Sequence, residues 1–469
     1  MRIFKLNLIC LLVGLFFISS CGDTSNDCAD NQTCQPGFIQ TQDCTCVQDP
    51  STIVPHPCPT LTCPSGQVVG LTDGVCNCVD PAACPGASCP DGQVLNADCE
   101  CLIVAGAEVI SGNISSDVTW TTNNIYTLAT RVSVESGATL TIEPGTIIKG
   151  ATGAGTLASA LVIAQGAKII AEGTADAPII FTSILDDIQV GQTRGSNLDE
   201  EEVGLWGGLL ILGYAPISIE GDGTAAQIEG IPADDFNGLY GGDDPADNSG
   251  ILKYVSVRHG GAVIGADNEI NGITLGGVGT GTVIDHVEVV ANKDDGIELF
   301  GGSVNISNAL VWAADDDALD IDQAYSGTVE NAVVIAFGGT DHGLEIDGPE
   351  GSLAGSFTIN NLTVKGVDDE LGQYRDGATG TTSNAYFFGF TTIEDGEGDL
   401  SLDDNTSLDG LTFSGIEVVL TTGATNINEV LKNGIDAFGT EVAEGANTVG
   451  ADTSVFGWTF ASQSGALDF

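Results

Sequence analysis

Positive charge is scarcest in this chain. Its 469 residues hold 12 Lys and Arg against 65 Asp and Glu, a net charge of −53. Such a chain repels phosphate, which excludes nucleic acid and an anionic lipid face as direct partners. Methionine occurs once and aromatics make up 6% of residues; Trp120, Trp206, Trp312 and Trp458 are scattered, so no sugar-stacking platform can be read. No apolar run after residue 18 is long enough to span a bilayer. No cysteine follows Cys101, which confines disulfide chemistry to the N-terminal part. There is neither a P-loop nor a GxSxG elbow. Apolar residues, at 42%, suffice for a sizeable core despite the charge, and 64 glycines imply many turns. Acid, Gly, Thr and Val in these amounts suggest an extracellular all-β protein.

Residues 1–20 carry Arg2 and Lys5, then an apolar run from Leu6 to Ile18, then Ser19 and Ser20. A charged start, a short apolar stretch and small residues before a cleavage point form a secretory signal. Ile18-Ser19-Ser20-Cys21 resembles the bacterial lipobox, which makes Cys21 the acylated first residue; an ordinary signal peptide with an incidental cysteine is the alternative. The acidic leader after Cys21 loosely resembles export tags on surface lipoproteins of Bacteroidota. The expected address is therefore the outer membrane, lipid-anchored and exposed at the cell surface.

Twelve cysteines form three copies of one pattern: Cys28, Cys34, Cys44, Cys46; then Cys58, Cys63, Cys76, Cys78; then Cys84, Cys89, Cys99, Cys101. Units of about 20 residues cannot bury a core alone, so each is expected to hold two disulfides. A secreted address and the lack of CxxC spacing favour disulfides over zinc. Each unit allows three pairings. The segment 21–101 reads as a protease-resistant stalk, with a small binding module as the alternative.

From residue 102 to 469, β-rich runs alternate with Gly, Asn and Asp turns. GATLTIEPGTIIKG from Gly137 is echoed by GAKIIAEGTADAPIIFTS from Gly166. NGITL, DGIEL, DALDI and HGLEI begin at Asn271, Asp295, Asp317 and His342, spaced by 24, 22 and 25 residues. That is one coil of a parallel β-helix. VEVV, ALVW, AVVI and LTVK repeat in a second register, preceded by His286, Asn308, Asn331 and Asn361, the three asparagines being a candidate ladder. Ile427–Ile435 has helical apolar spacing and suits a cap on the solenoid end. His259 and His286 read as turn-packing groups, and Asp395–Asp404 as a weak calcium-loop candidate.

GATLTIEPGT, DDGIELFGG and DDDALDIDQAY carry the resemblance to right-handed parallel β-helix proteins of the pectin-lyase-like type, over roughly residues 110–469. The chain also resembles Bacteroidota surface lipoproteins built on such a helix. The likeness implies three parallel sheets per coil and, in enzyme members, a glycan groove along one outer face.

Aligned coils place Asp294, Asp316 and Asp341 in one column and Asp295, Asp317 and His342 in the next. Glu298, Asp320 and Glu345 form a third; Asp322 and Asp347 form a fourth, after Phe300. Alternation turns Ile297, Leu319 and Leu344 inward and the third column outward. Carboxylates about 4.8 Å apart on adjacent coils repel by about 3 kcal/mol at an effective dielectric near 20. A bridging cation or retained protons would relieve this, and hard oxygen ligands in an extracellular protein point to Ca²⁺. A solvated acidic face is the plainer alternative. The same coils resemble the active face of polygalacturonases, which implies Asp295, Asp316 and Asp317 as acid/base groups oriented by His342. Lys293 stands where that family has Asn, Asp341 where it has Gly, and no RIK-like strand follows. A lyase would need a basic residue beside Ca²⁺; Lys293, Lys365 and Arg375 are the candidates. The expected function is Ca²⁺-dependent binding of an extracellular polymer, a polysaccharide, along this face. Glycoside hydrolysis or polysaccharide lysis on the same face is one alternative, and a structural or adhesive surface protein is another. The oligomeric state is left open.

Overall fold

The computed structural model describes residues 107–469 except 154, 156–157, 264–269, 367–369 and 392–397, together with six short strands between residues 38 and 103. Residues 1–56 and 57–469 form separate compact units. In the first, Phe38–Gln40 pairs antiparallel with Cys46–Gln48. In the second, Val68–Thr72 pairs with Val75–Val79, and Gln93–Leu95 with Cys101–Ile103. Each hairpin thus falls on one cysteine repeat. The signal segment, Cys21 and the pairing of the twelve cysteines lie outside the described residues.

From residue 107 the chain winds as a mostly-β parallel solenoid. One strand per coil forms a narrow nine-stranded sheet that runs from Val132–Val134 to Leu400–Leu402. The sequence echo is a real pairing, with Thr139 beside Lys168 and Ile147 beside Ile180. The second register becomes long strands such as Val283–Asn292, Asn305–Ala314 and Phe357–Lys365. Each long strand bends at a residue of positive φ in one aligned position, Tyr254, His286, Asn308, Asn331, Asn361, Asn384 and Gly415, and Ala291 and Ala313 add a second in two of them. Asparagine tolerates this conformation better than other residues with a β-carbon, which is why it recurs there. The ladder is partial. Asn331 Nδ2 donates to Asn308 Oδ1 at 2.7 Å, but Asn361 turns to Glu330 at 2.7 Å. His286 occupies the bend stacked on Tyr254, and His259 is buried with Nδ1 2.8 Å from the Glu202 carbonyl, so both are packing groups.

Period-2 alternation sends Ile297, Leu319 and Leu344 into one continuous core with the inward residues of the long strands. All four tryptophans are buried. Residues 427–435 are not the expected α-helix: they give 3₁₀ turns at Ile427–Glu429 and Ile435–Phe438. Asn433 and Gly434 both take positive φ, and Asn433 Oδ1 accepts from Leu402 N, which ends the helical path. Val430, Leu431 and Ile435 nevertheless join the core beside Leu400, covering its edge.

Outward residues of the long strands form a column, Ser256, Glu288, Leu310, Val333, Thr363, Tyr386 and Glu417. The C-terminal segment lies against it. That segment contains the α-helix seen among the described residues, Phe460–Ser464, with Thr459 as its N-cap. No helix among the described residues is long and apolar enough to cross a membrane.

Candidate functional site

The outer face of the narrow sheet changes character along its length. Its first coils present Val162 and Leu210, which pack with Ile217, Ile228 and Tyr240 of the loop that follows. The same column then continues through Thr274 to Glu298, Asp320 and Glu345, paired side by side. Phe300, Asp322 and Asp347 follow in the neighbouring column, so the register inferred from the sequence is the observed one.

The third column points outward but is not solvated: Glu298, Asp320 and Glu345 are all buried. Loops close over it. Tyr240 donates to Gln323 at 3.0 Å and packs on Phe300, and Glu350 accepts from Gln323 Nε2 at 3.1 Å. Asn271 Nδ2 donates to Glu298 Oε2. The third column is therefore not a solvated acidic face.

One half of the cluster carries its own cations. His342 Nδ1 lies 2.7 Å from Asp317 Oδ1, and its Nε2 lies 3.6 Å from Glu370. Burial opposes the imidazolium, but the hydrogen bond and charge of Asp317, with Asp341 and Glu370, override it and raise its pKa to about 9. Arg375 binds Glu345 at 2.5 Å and Asp347 at 2.6 Å, and those carboxylates hold its guanidinium firmly charged. Burial, then the charge of Asp317, still pushes Glu345 up to about 8. Burial likewise lifts Asp322 and Glu370 to about 7.

The other half has no such relief. Oxygens of Asp295, Glu298 and Asp320 lie within 4.8 Å of one another. Among the described residues no Lys, Arg or His pairs with any of the three within 4.0 Å. Burial, and then the charge of neighbouring carboxylates, push all three carboxyls well above their usual range; Asp320 repels Asp295 and Glu298, and is itself repelled by Asp317 and Glu345. Asp320 is 8% exposed and its Oδ1 has no hydrogen-bond partner; the Asn271 Oδ1 beside Glu298 is also buried and unpartnered. Orphaned buried oxygens around three carboxylates suit a hard divalent cation, which binds through several oxygen ligands. Two further groups offer ligands within the same 4.8 Å: Asp294, Asp295 and Asp316, and Asp317, Asp341 and His342. Asp316 and Asp341 are exposed.

The four residues implied as catalytic do meet, but two of them also brace the coils. Asp295 Oδ1 accepts from Asp317 N, and Asp317 Oδ1 accepts from His342 N, each at 2.9 Å. The basic candidates are engaged: Lys293 with Asp315 at 2.9 Å, Lys365 over the ring of Phe469, and Arg375 as above. Residues 395–397 of the calcium-loop candidate fall outside the described residues. Beyond them Asp399 is buried near Lys432 and Leu400–Leu402 is a strand.

Residues 112–462 match the pectate-lyase-like β-helix domain family. The chain belongs to this family. The match covers most of the solenoid, including every coil that carries the acidic columns. No curated protein and no solved structure matches the chain. Pectate-lyase-like β-helices are typical of carbohydrate-active proteins, and in this one the narrow sheet concentrates its buried acids on three successive coils. Glu370, Asn271, Gln323 and Glu350 belong to this cluster but were not among the residues expected from the sequence. Glu370 pairs directly beside His342; its coil is 28 residues long, outside the 22–25 spacing that located the others. Asn271 alone had a signal, since it begins the first of the aligned segments.

Proposed function

We propose that this protein binds an extracellular polysaccharide along the outer face of the narrow sheet, with Ca²⁺ held by Asp295, Glu298 and Asp320. The observation that carries the reading is the orphaned Asp320 oxygen among three mutually repelling buried carboxyls. Three carboxylates supply up to six oxygens, the Asn271 amide can add another, and Ca²⁺ accepts that flexible set. A bound divalent ion would also reverse the local field, so that an acidic polymer is no longer repelled. Family membership supports the glycan class of ligand. Glu345, Asp347, Asp322 and Asp341 flank this centre and are assigned to shaping the face, because His342 and Arg375 already neutralise its far half. The address read from the N-terminus, a lipoprotein acylated at Cys21 and displayed on the outer membrane, completes the proposal.

Binding is preferred to lysis because the three basic residues a lyase would draw on are already paired. Hydrolysis stays as the reading to be beaten, and Asp316 is its accessible carboxylate. Titration calorimetry on chelator-stripped protein tests the site. Micromolar Ca²⁺ binding by wild type, abolished in Glu298→Gln, Asp320→Asn, is expected; equal binding by both proteins would move the ion elsewhere. A polysaccharide array in Ca²⁺ and in EDTA then reads the ligand. Reducing ends released by wild type but not by Asp316→Asn would replace binding with hydrolysis.

A further inference from the structure

The C-terminal segment contacts the outer face of the long strands in reverse coil order. Thr448 donates through N and Oγ1 to Glu417, both at 2.6 Å. Ala451 N donates to Thr363 Oγ1 at 2.9 Å, and Asp452 N to Asn331 Oδ1 at 2.6 Å. Phe460 N and Ala461 N then donate to Glu288 at 3.0 and 2.9 Å. Phe456, Phe460 and Ala461 cover an apolar strip of Leu310, Trp312, Val333 and Ile335. The segment therefore travels back over the coils to one carboxylate that is fully buried.

Three features make this segment a ligand rather than another coil. It adds no strand to either sheet after Gly439–Glu441. Its anchors are mostly side chains of the solenoid receiving backbone N–H groups of the tail, not strand-to-strand ladder bonds. The linker from Ala443 to Asn447 is exposed, and Gly445 takes a positive φ in open space. The tail also suits contact with so acidic a protein, since from Ala446 to Phe469 its only acids are Asp452 and Asp468.

We propose that this track is a peptide-recognition surface whose ligand is the chain's own terminal segment 446–469, and that the same segment of a second copy can fill it. Glu288 supplies the specificity. It needs two adjacent N–H donors at the start of a helical turn, with the following aromatic ring placed under Arg258, whose guanidinium carbon lies 4.8 Å from the centre of the Phe460 ring. Loss of the tail would uncover the apolar strip, and an identical tail from another molecule is the complementary cover. Exchange of this kind links copies without any new interface.

The test keeps the tail in place while the protein folds. A protease site is inserted after Gly445, the purified full-length protein is cut, and a labelled peptide of residues 446–469 is added. Fluorescence anisotropy should show the peptide entering cut protein and not intact protein, with affinity at least tenfold lower in cut Glu288→Gln. A full chain carrying Leu310→Asp, whose own track is spoiled, should form a heterodimer with cut protein by light scattering. The same donor ending at Gly445 should not. Cut protein that takes neither peptide nor donor overturns the proposal, as does loss of the far-ultraviolet β signal on cutting, which would make the tail part of the fold itself.

Discussion

Glu288 and Glu298 sit on one coil, both point away from the core and both are buried, but they are held in opposite ways. Glu288 receives Ser256 Oγ at 2.6 Å and two backbone N–H groups, with Arg258 3.9 Å away. Glu298 receives Asn271 and otherwise faces Asp320 and Asp295. The first is a carboxylate the fold has supplied with donors. The second is one of a group whose charge the fold leaves uncompensated. Burial of an acid is thus no mark of function by itself; function is indicated where the partners are missing.

The contrast gives predictions of opposite sign. Glu288→Ala strands two helix N–H groups and a buried guanidinium, and should destabilise by about 3–5 kcal/mol in denaturant titrations. Asp320→Asn should do the reverse in EDTA, raising the midpoint because it removes a charge from the repelling trio. In Ca²⁺ the order should invert, since wild type at 100 times its Kd gains about 2.7 kcal/mol that the variant cannot. An unchanged order in Ca²⁺ would remove the metal from the account.

Acidity sharpens the same comparison. Asp322 and Glu370 are lifted to about 7 and Glu345 to about 8, above their unfolded values near 4. Such groups hold their protons more tightly when folded. The stability they add is fully present below about pH 4 and is lost as pH rises through 7 to 8. His342, raised to about 9, acts in the same direction. In EDTA the melting temperature should therefore fall between pH 5 and 8, and Ca²⁺ should flatten the slope; a flat profile in EDTA would mean that the carboxyls are already compensated. The smallest effect expected is Asn308→Ala, about 1–2 kcal/mol from the lost bonds to Asn331 and Asp285 at a left-handed backbone position, with Ca²⁺ affinity unchanged by calorimetry.

What the sequence made legible was whatever repeats. The four segments beginning at Asn271, Asp295, Asp317 and His342 stack side by side, and the outward column of Glu298, Asp320 and Glu345 followed from alternation alone. Features without a period were opaque. The cover over the acids comes from a loop around Tyr240 and another around Glu350, remote in the chain from the carboxyls they enclose. Glu370 was hidden by an overlong coil. The 427–435 segment has helical spacing, but two consecutive positive-φ residues and a hydrogen bond to Leu402 decide its shape. The terminal segment has neither period nor motif, and its meaning lies wholly in the columns it crosses.

Glu288 and the N–H groups that hold it are 172 and 173 positions apart in the chain. A ribosome adds 172 residues after Glu288 before it reaches Phe460, so the coil bearing Glu288 spends that interval with a half-made environment. Its neighbours can wind as they emerge, because each pairs with the coil just before it. That one patch must wait for Phe460 and Ala461, which makes their docking a late step of assembly.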